Sequence, residues 1–235
     1  MGWHRVTSIK KKVPRPIKHP LFICTEWYWA IRQLPAQSLG DMVIIKEMLA
    51  SVEGDRVNVL EWGSGASTTY YPKYLRSIGR EFEWHAMENS PTWHRRIEEK
   101  VRRSNLTGQV HIHCSEFPRF SDLPGYRVAD PVPPQSYSQS AEVTKYVETP
   151  RELGSKFDVI IVDGRFRRRC LMVAKDVLAP NGVVLLHDAQ KTQYHSSLSS
   201  FSHVKFLETG AMPGISQQST IALCCIGEDT PIRGF

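Results

Sequence analysis

Strand-like apolar runs alternate with stretches of helical periodicity through the middle of the chain. The predicted strands fall at 57–62, 82–87, 109–114, 156–164 and within 179–189. Between them, 67–78, 91–103 and 166–178 carry apolar residues at the spacing of a helix face. The run 156–164 is almost wholly apolar before its acid, which is typical of a strand buried on both faces. This alternation predicts an α/β fold, a mostly parallel sheet covered by helices on both sides.

The chain ends in a different pattern. Two strand-like segments, 203–209 and 219–227, are joined by a short loop that contains glycine, and no helix fits between them. We therefore expect these two strands to pair antiparallel at one edge of the sheet. Ahead of the first strand, 38–52 has the apolar spacing of an amphipathic helix.

Two further segments stand outside the alternation. Residues 21–54 are expected to form an N-terminal helical segment, in which an aromatic patch at Trp27–Trp29 would suit a homo-oligomer interface. Residues 115–150 are polar and hold six prolines, a composition and length expected of a lid or binding loop. A short helix is expected at its end, in 140–153. The stretch 21–235 is thus predicted to be a single domain.

All the excess positive charge stands at the beginning of the chain. Residues 1–20 hold six lysines and arginines and no acid, whereas the rest of the chain holds 24 basic and 24 acidic side chains. Such a tail is expected to be loosely ordered, although it is also able to contact a phosphate backbone or an anionic membrane. The neutral body of the protein argues against nucleic acid as a partner.

The remaining composition is that of an ordinary soluble globular protein. No apolar run approaches the roughly 20 residues of a membrane helix, and no signal-peptide core is present. The five cysteines lack C-x-x-C spacing, which indicates reduced thiols and a cytoplasmic protein. A zinc site is not expected on that count.

The sequence "EWGSGAST", residues 61–68, carries the first chemical signal. Gly63 and Gly65 follow the first strand, where glycines let backbone amides approach a nucleotide-like ligand. The third glycine of a dinucleotide fingerprint is replaced by Thr68. Glu61 can reach a ligand's ammonium group, and Glu88, at the end of the second strand, can accept both hydroxyls of a ribose. A ligand with both groups is S-adenosylmethionine (SAM).

At these motifs the chain resembles the class I, Rossmann-like SAM-dependent methyltransferases, over about residues 40–226. The resemblance implies a three-layer sandwich with a seven-stranded sheet in the order 3-2-1-4-5-7-6. It also implies a set of cofactor-binding residues. The residues for the methionine part are Glu61, Gly63, Gly65 and Ser67. In the adenosine part, Glu88 would bind the ribose, Asn89 would lie beside the adenine, and Ser115, with Glu116, would lie near the adenine amine.

Ionisable residues follow two neighbouring strands, where an open parallel sheet places its reactive groups. Asp163 follows the fourth strand, and His187 and Asp188 follow the fifth. One interpretation is a divalent metal, Mg²⁺ or Mn²⁺, held by Asp163 and Asp188, a pattern similar to the metal-assisted O-methyltransferases. Another is a metal-free site in which His187 is the general base and Asp188 orients it. The third is an inert, capped turn.

The sequence "GRFRRRC", residues 164–170, adds a run of arginines. Arg165 and Arg169 are four residues apart and could clamp a carboxylate or phosphate, whereas Arg168 is expected to be solvated. Arg165, beside Asp163, is therefore predicted to anchor the substrate. Tyr194 and His195, after the fifth strand, are predicted to border the acceptor.

Missing motifs narrow the choice of acceptor. No Asn/Asp-Pro-Pro-aromatic motif, typical of amino-methylating enzymes, follows the fourth strand, and no Pro-Cys pair of the cytosine-C5 enzymes is present there. The sequence therefore predicts methyl transfer from SAM to a hydroxyl of a small molecule or saccharide. The alternatives are RNA methylation that uses the basic tail, and a nucleotide-binding module without catalysis.

Overall fold

The computed structural model describes residues 34–118, 135–211 and 218–227. The predictions for the basic tail, for the aromatic patch at Trp27–Trp29 and for residues 119–134 of the 115–150 loop lie outside these residues. The cytoplasmic location stays a prediction. Within the described part of the chain, no helix is both long and apolar enough to cross a membrane.

Seven strands form one sheet in the order β3-β2-β1-β4-β5-β7-β6. The strands are β1 Arg56–Trp62, β2 Glu81–Glu88, β3 Val110–Cys114, β4 Phe157–Val162, β5 Leu178–Leu186, β6 His203–Ala211 and β7 Gln218–Cys225. The first five are parallel, while β7 pairs antiparallel with both β5 and β6. The predicted fold class, the strand order and the terminal antiparallel pair are therefore confirmed.

Helices connect the strands and cover both faces of the sheet. They are α1 Leu39–Ser51, α2 Ser67–Ser77, α3 Pro91–Arg103, α4 Gln135–Ser138, α5 Ala141–Glu152, α6 Arg167–Val177 and α7 His195–Leu198, with a 3-10 turn at Thr192–Tyr194 before α7. The short helix predicted in 140–153 is α5, and the hydroxyl of Ser140 caps it by accepting from the Val143 N–H.

The sheet separates two apolar cores. The side chains of β4 alternate between them, because successive residues of a strand point to opposite faces. Ile160 and Val162 pack with α5 and α6, whereas Val159 and Ile161 pack with α1, α2 and α3. This two-sided burial is the reason that β4 reads as a continuous apolar run.

The sequence "APNGVVLLHDA", residues 179–189, predicts a turn followed by the fifth strand, and the structure differs from this at the start of β5. Phe157 pairs with Leu178 but Val159 pairs with Val183, so the intervening residues of β5 form a bulge inside the strand rather than a turn before it. Gly182 allows this close approach, because a Cβ there would lie 2.8 Å from the Phe157 carbonyl oxygen.

Candidate functional site

The glycine turn after β1 packs directly on the turn after β4. Gly63 has φ +98°, which favours glycine, and a Cβ at this position would lie 2.7 Å from Gly164 Cα. A Cβ at Gly164 would lie 2.8 Å from the Gly63 nitrogen and would also collide with the Tyr146 hydroxyl. The two glycines therefore let the ends of β1 and β4 meet, and Tyr146 of α5 supports them from below.

Gly65 has a different role from Gly63. A Cβ there would meet nothing closer than Ser67 Oγ at 3.6 Å, so the backbone of this part of the turn borders open space. Its N–H donates to Thr68 Oγ1 at 2.9 Å, which fixes the turn against the first residues of α2. The turn thus has the open backbone that a nucleotide-like ligand needs for close approach.

Glu61 lies beneath the glycine turn and is almost fully buried. Its carboxylate accepts hydrogen bonds from the Ser67 hydroxyl, from Thr68 Oγ1 at 2.8 Å and from Trp84 Nε1 at 3.0 Å. Burial raises the pKa of Glu61 to about 7, although these three donors act in the opposite direction. Glu61 therefore holds the start of α2 in place, and its predicted contact with a ligand ammonium stays a prediction.

Glu88 is held at the carboxyl end of β2, facing the glycine turn. One oxygen accepts from Ser64 Oγ at 2.6 Å, and the other accepts from the N–H groups of Asn89 and Ser90, both at 2.8 Å. The Ser115 N–H, after β3, donates to the Glu88 carbonyl at 2.9 Å. The structure thus brings Glu88, Asn89 and Ser115 together beside the glycine turn.

His187, after β5, lies between two carboxylates. Its Nε2 is 3.2 Å from Asp41 Oδ2, and its Nδ1 is 3.0 Å from Asp163 Oδ1. The second contact lacks the angular geometry of a hydrogen bond and is therefore mainly electrostatic. Burial lowers the pKa of His187, but the charges and contacts of Asp163 and Asp41 outweigh it and raise the pKa to about 10. His187 is thus an imidazolium at neutral pH.

Arg167, the first residue of α6, joins the two acids that follow β4 and β5. Its Nη2 donates to Asp163 Oδ1 at 2.9 Å, and its Nη1 lies 3.2 Å from Asp188 Oδ2 and also donates to the His187 carbonyl. The guanidinium is mostly buried, and it lies over the Tyr194 ring at 5.5 Å. The guanidinium thus bridges Asp163 and Asp188 by direct contacts to both carboxylates.

These contacts do not fit a metal ion held by Asp163 and Asp188. The Arg167 guanidinium already supplies a positive charge between the carboxylates, and Lys191 Nζ is 2.6 Å from Asp188 Oδ2. Burial opposes ionisation of Asp188, but the hydrogen bond from Lys191 and the charges of His187 and Arg167 lower its pKa. The charge that a divalent ion would provide is thus present in side chains of the chain itself.

The other predicted substrate residues are spread around this centre. Arg165 is exposed and precedes α6, so its side chain does not share a helix flank with Arg169. Arg169 instead donates to the Ser138 carbonyl and to Thr144 Oγ1, which ties α6 to α4 and α5. The predicted clamp by Arg165 and Arg169 is therefore wrong, while the role of Arg165 as an anchor stays a prediction.

Tyr194 and His195 follow the turn after β5 and have different contacts. Tyr194 covers the Arg167 guanidinium. His195 Nε2 lies 2.8 Å from the Ala189 carbonyl oxygen, and its ring packs against Phe206. Tyr194 therefore touches the charged centre, whereas His195 supports the turn that follows β5.

Sequence reasoning missed Asp41 and Arg167. Asp41 is fully buried in the first turn of α1, where it accepts from the Ser38 N–H at 2.8 Å and from Ser219 Oγ at 2.9 Å. The spacing of Ser38 and Asp41 matches a capping box and could have located the start of α1. No local signal shows that Asp41 also contacts His187, because 146 residues separate the two.

The fold and the glycine turn define a class I SAM-dependent methyltransferase. A family model described as a methyltransferase domain matches residues 60–189, more than half of the chain, and the chain belongs to that family. The comparison with curated proteins gives no match.

Solved structures share the fold at low sequence identity. An O-methyltransferase from Bacillus cereus in complex with SAH is 12% identical, with TM-score 0.54 and coverage of 90% of this chain and 93% of that one. Cofactor-bound Rv0187 from MTB is 14% identical, with TM-score 0.57 and coverage of 90% and 91%. A methyltransferase-like protein from Silicibacter pomeroyi is 17% identical, with TM-score 0.51 and coverage of 82% and 89%.

Proposed function

We propose that this methyltransferase transfers the methyl group of SAM to a hydroxyl of a small molecule or saccharide. The observation that carries the proposal is the charged centre of Asp163, His187 and Arg167 beside the glycine turn, at the carboxyl ends of β1, β4 and β5. The similarity in fold to the O-methyltransferase from Bacillus cereus supports the same class of acceptor. When bound, SAM supplies a methyl group on a positively charged sulfur.

The cofactor would lie over the glycine turn. Glu88 is suited to the ribose diol, because its carboxylate is fixed in the crevice by Ser64 and by the N–H groups of Asn89 and Ser90. The open backbone at Gly65 leaves room for the methionine part. Asn89 and Ser115 would then flank the adenine, since both adjoin Glu88.

The charge state of His187 argues against its interpretation as the general base. A base must be able to accept a proton, and an imidazole with a pKa of about 10 already carries that proton at neutral pH. His187 is better suited to hold Asp163 in position, with Asp41 fixing the far side of the imidazole ring. This makes His187 a positioning residue in the proposal.

Asp163 is the group that we assign to the acceptor. Its side chain is 27% exposed, so one flank of the carboxylate is open while Arg167 and His187 fix the other. An alcohol oxygen that has begun to bond to the methyl carbon is strongly acidic, so a weak base such as a carboxylate suffices to take its proton. The chain would otherwise contribute chiefly alignment of the acceptor oxygen with the methyl carbon.

The first experiment is calorimetric titration of the protein with S-adenosylhomocysteine, run with Mg²⁺ and again with a chelator. We expect micromolar binding in both conditions, because the cofactor residues include no metal ligand. Absence of binding in both would overturn the cofactor assignment. An affinity that requires Mg²⁺ would restore the metal interpretation of Asp163 and Asp188.

The second experiment measures methyl transfer to a panel of phenols, sugars, amines and RNA. Turnover of hydroxyl compounds is expected, and Asp163→Asn should reduce kcat at least tenfold with little change in affinity for S-adenosylhomocysteine. Asp176→Asn, which changes an exposed acid of α6, is the matched control. Turnover confined to amines or RNA would overturn the acceptor class, and no turnover of any compound would favour a binding module.

A further inference from the structure

A cluster of imidazoles lies on β2 and β3, far from the charged centre. Glu83 and His85 share one face of β2, because residues two apart in a strand point the same way. His111 of β3 is paired in register with His85, and His113 follows it on the same face. The His85 ring stacks on the His111 ring at 5.0 Å and on the His113 ring at 5.3 Å.

Three atoms of this cluster have the spacing of metal ligands. His85 Nε2 is 3.3 Å and His111 Nε2 is 3.5 Å from Glu83 Oε1, and the three ligand atoms lie within 4.8 Å of one another. Tetrahedral zinc with ligands at about 2.0–2.1 Å separates neighbouring ligand atoms by about 3.3–3.4 Å. We propose that Glu83, His85 and His111 form a zinc site, with a water molecule as the fourth ligand.

His113 does not bind the metal in this proposal but contacts its ligand His85. Its Nε2 lies 3.0 Å from His85 Nδ1, so the Nδ1–H of His85 can donate to it. That hydrogen bond selects the tautomer in which His85 Nε2 presents its lone pair toward Glu83, as in many metal-binding histidines.

The surroundings leave the ligand atoms available. Arg56 pairs with the other carboxylate oxygen of Glu83, Oε2, which orients the carboxylate and leaves Oε1 directed at the imidazoles. The side chain of His111 is 40% exposed, so a metal ion and a water molecule can reach the cluster.

The site would be structural rather than catalytic. Glu83 and His85 precede Glu88 by five and three residues along β2, which places them about 17 Å and 10 Å from that end of the cofactor crevice at the strand rise of about 3.3 Å per residue. Among the residues that the structure describes, the outermost strand, β3, pairs with β2 alone. A metal ion that joins β2 to β3 would therefore fix an edge strand that is otherwise held by one set of backbone hydrogen bonds.

A metal-free arrangement of the same atoms is the competing explanation. In it, His113 Nε2–H donates to His85 Nδ1, and His85 Nε2–H faces the Glu83 carboxylate. His85 Nε2 would then carry a proton and offer no lone pair to a metal. The cysteine spacing that gave no reason to expect zinc has no bearing on this set, which contains histidine and carboxylate only.

The test is titration of the chelator-treated full chain with Zn²⁺ in competition with a chromophoric chelator, and with Co²⁺ monitored by visible absorption. We expect one equivalent of Zn²⁺ and the intense visible band of tetrahedral Co²⁺. His113→Ala should weaken Zn²⁺ binding by about 10–100-fold, and loss of the ligand in His111→Ala should weaken it further. His203→Ala, which removes a histidine on the opposite edge strand, is the control.

Two results would overturn the site. One is wild-type protein that takes up no Zn²⁺ and gives no tetrahedral Co²⁺ band, a result that does not depend on any variant folding. The other is a variant series in which His203→Ala weakens binding as much as His111→Ala. Because the site lies away from the cofactor crevice, neither result depends on the proposed methyl transfer.

Discussion

At the scale of single residues, Arg167 determines the charge of the strand ends. Asp163 and Asp188 both follow buried strands, and without a cation between them each carboxylate would oppose ionisation of the other. Arg167 contacts both and is itself only 11% exposed. Its removal leaves Asp163 with His187, and Asp188 with Lys191, as the remaining cationic partners at the edge of the core. Breaking a buried charge pair by removing one partner costs about 3–5 kcal/mol, and partial exposure of both acids reduces that figure here.

Arg167→Ala is therefore expected to lower the melting temperature by several degrees and to create an affinity for divalent cations. With the guanidinium gone, Mg²⁺ or Mn²⁺ should stabilise the variant by pairing with Asp163 and Asp188, whereas wild-type protein should respond little to Mg²⁺. Thermal melts with and without each cation measure this difference. Arg168→Ala, at an exposed neighbour, is the control. If Mg²⁺ and Mn²⁺ change the melting temperatures of Arg167→Ala and of the wild type equally, Arg167 does not occupy the place of a cation between Asp163 and Asp188.

Glu61 gives a second prediction at the same scale. Burial raises its pKa to about 7, so the carboxyl is partly protonated near neutral pH. If the ammonium of the ligand approaches Glu61, it favours the carboxylate, and binding then releases a proton. Affinity for S-adenosylhomocysteine should accordingly rise from pH 6 to pH 8.

Calorimetry in two buffers with different ionisation enthalpies measures that proton directly. The apparent binding enthalpy of wild-type protein should differ between the buffers at a pH near 7, and Glu61→Gln should remove the difference. Identical enthalpies for wild-type protein would show that the ligand ammonium lies away from Glu61.

At the scale of elements, α1 is fastened to the sheet by Asp41. This residue caps its own helix through Ser38, accepts from Thr209 of β6 and Ser219 of β7, and pairs with His187 after β5. Burial opposes the charge of Asp41 and raises its pKa. The hydrogen bonds from His187 and Thr209 are the largest of the contributions that outweigh this effect, and the pKa of Asp41 is lowered to about 2. The helix is thus linked to three strands through one carboxylate.

Asp41→Asn should destabilise the protein in a way that depends on pH. The pKa of His187 is raised from 6.5 to about 10 in the folded protein. Its stabilising contribution is therefore complete below pH 6.5 and is lost as pH rises toward 10. The variant retains Asp163 beside His187 but loses Asp41, so its deficit relative to wild type should be largest near pH 6–7, about 3–5 kcal/mol.

Urea unfolding of both proteins at pH 6.5 and at pH 10 tests this expectation. The deficit of Asp41→Asn should shrink at the higher pH. Ser219→Ala, which removes one hydrogen bond to the same carboxylate, should cost about 1 kcal/mol at both pH values. A deficit of Asp41→Asn that is constant across this range would mean that His187 does not carry its charge in the folded protein.

Some features of the strands and of the site could be predicted from the sequence, and others depend on contacts between distant parts of the chain. Strands such as β4 were predictable because burial on both faces leaves a continuous apolar run, and the strand order followed from the family resemblance. The bulge in β5 was not, because it depends on the approach of Gly182 to β4. The partners of His187 could not be predicted either, because Asp41 lies 146 residues away along the chain. The charge state of His187 depends on both Asp41 and Asp163. Sequence therefore located Asp163, His187 and Asp188, but it located neither Asp41 and Arg167 nor the protonation state of His187.

At the scale of the whole molecule, the charged centre and the histidine cluster lie at different places in one sheet. The centre around Arg167 lies at the carboxyl ends of the parallel strands, and the histidine cluster lies on β2 and β3 toward the sheet edge. The first has its own cation, and the second offers ligand atoms to a metal. A chelator should consequently act on the stability of the protein and leave its cofactor site intact.

We therefore expect treatment of zinc-loaded protein with a chelator to lower the melting temperature by several degrees while the Kd for S-adenosylhomocysteine changes less than twofold. A ligand stabilises a fold according to its concentration relative to its Kd, so removing a bound metal removes that contribution. His111→Ala should show no such response in its melt and should keep the wild-type Kd. A tenfold rise in Kd on chelation would instead place a metal beside the cofactor. If the chelator does not change the melting temperature of the wild-type protein, no metal is bound at the sheet edge.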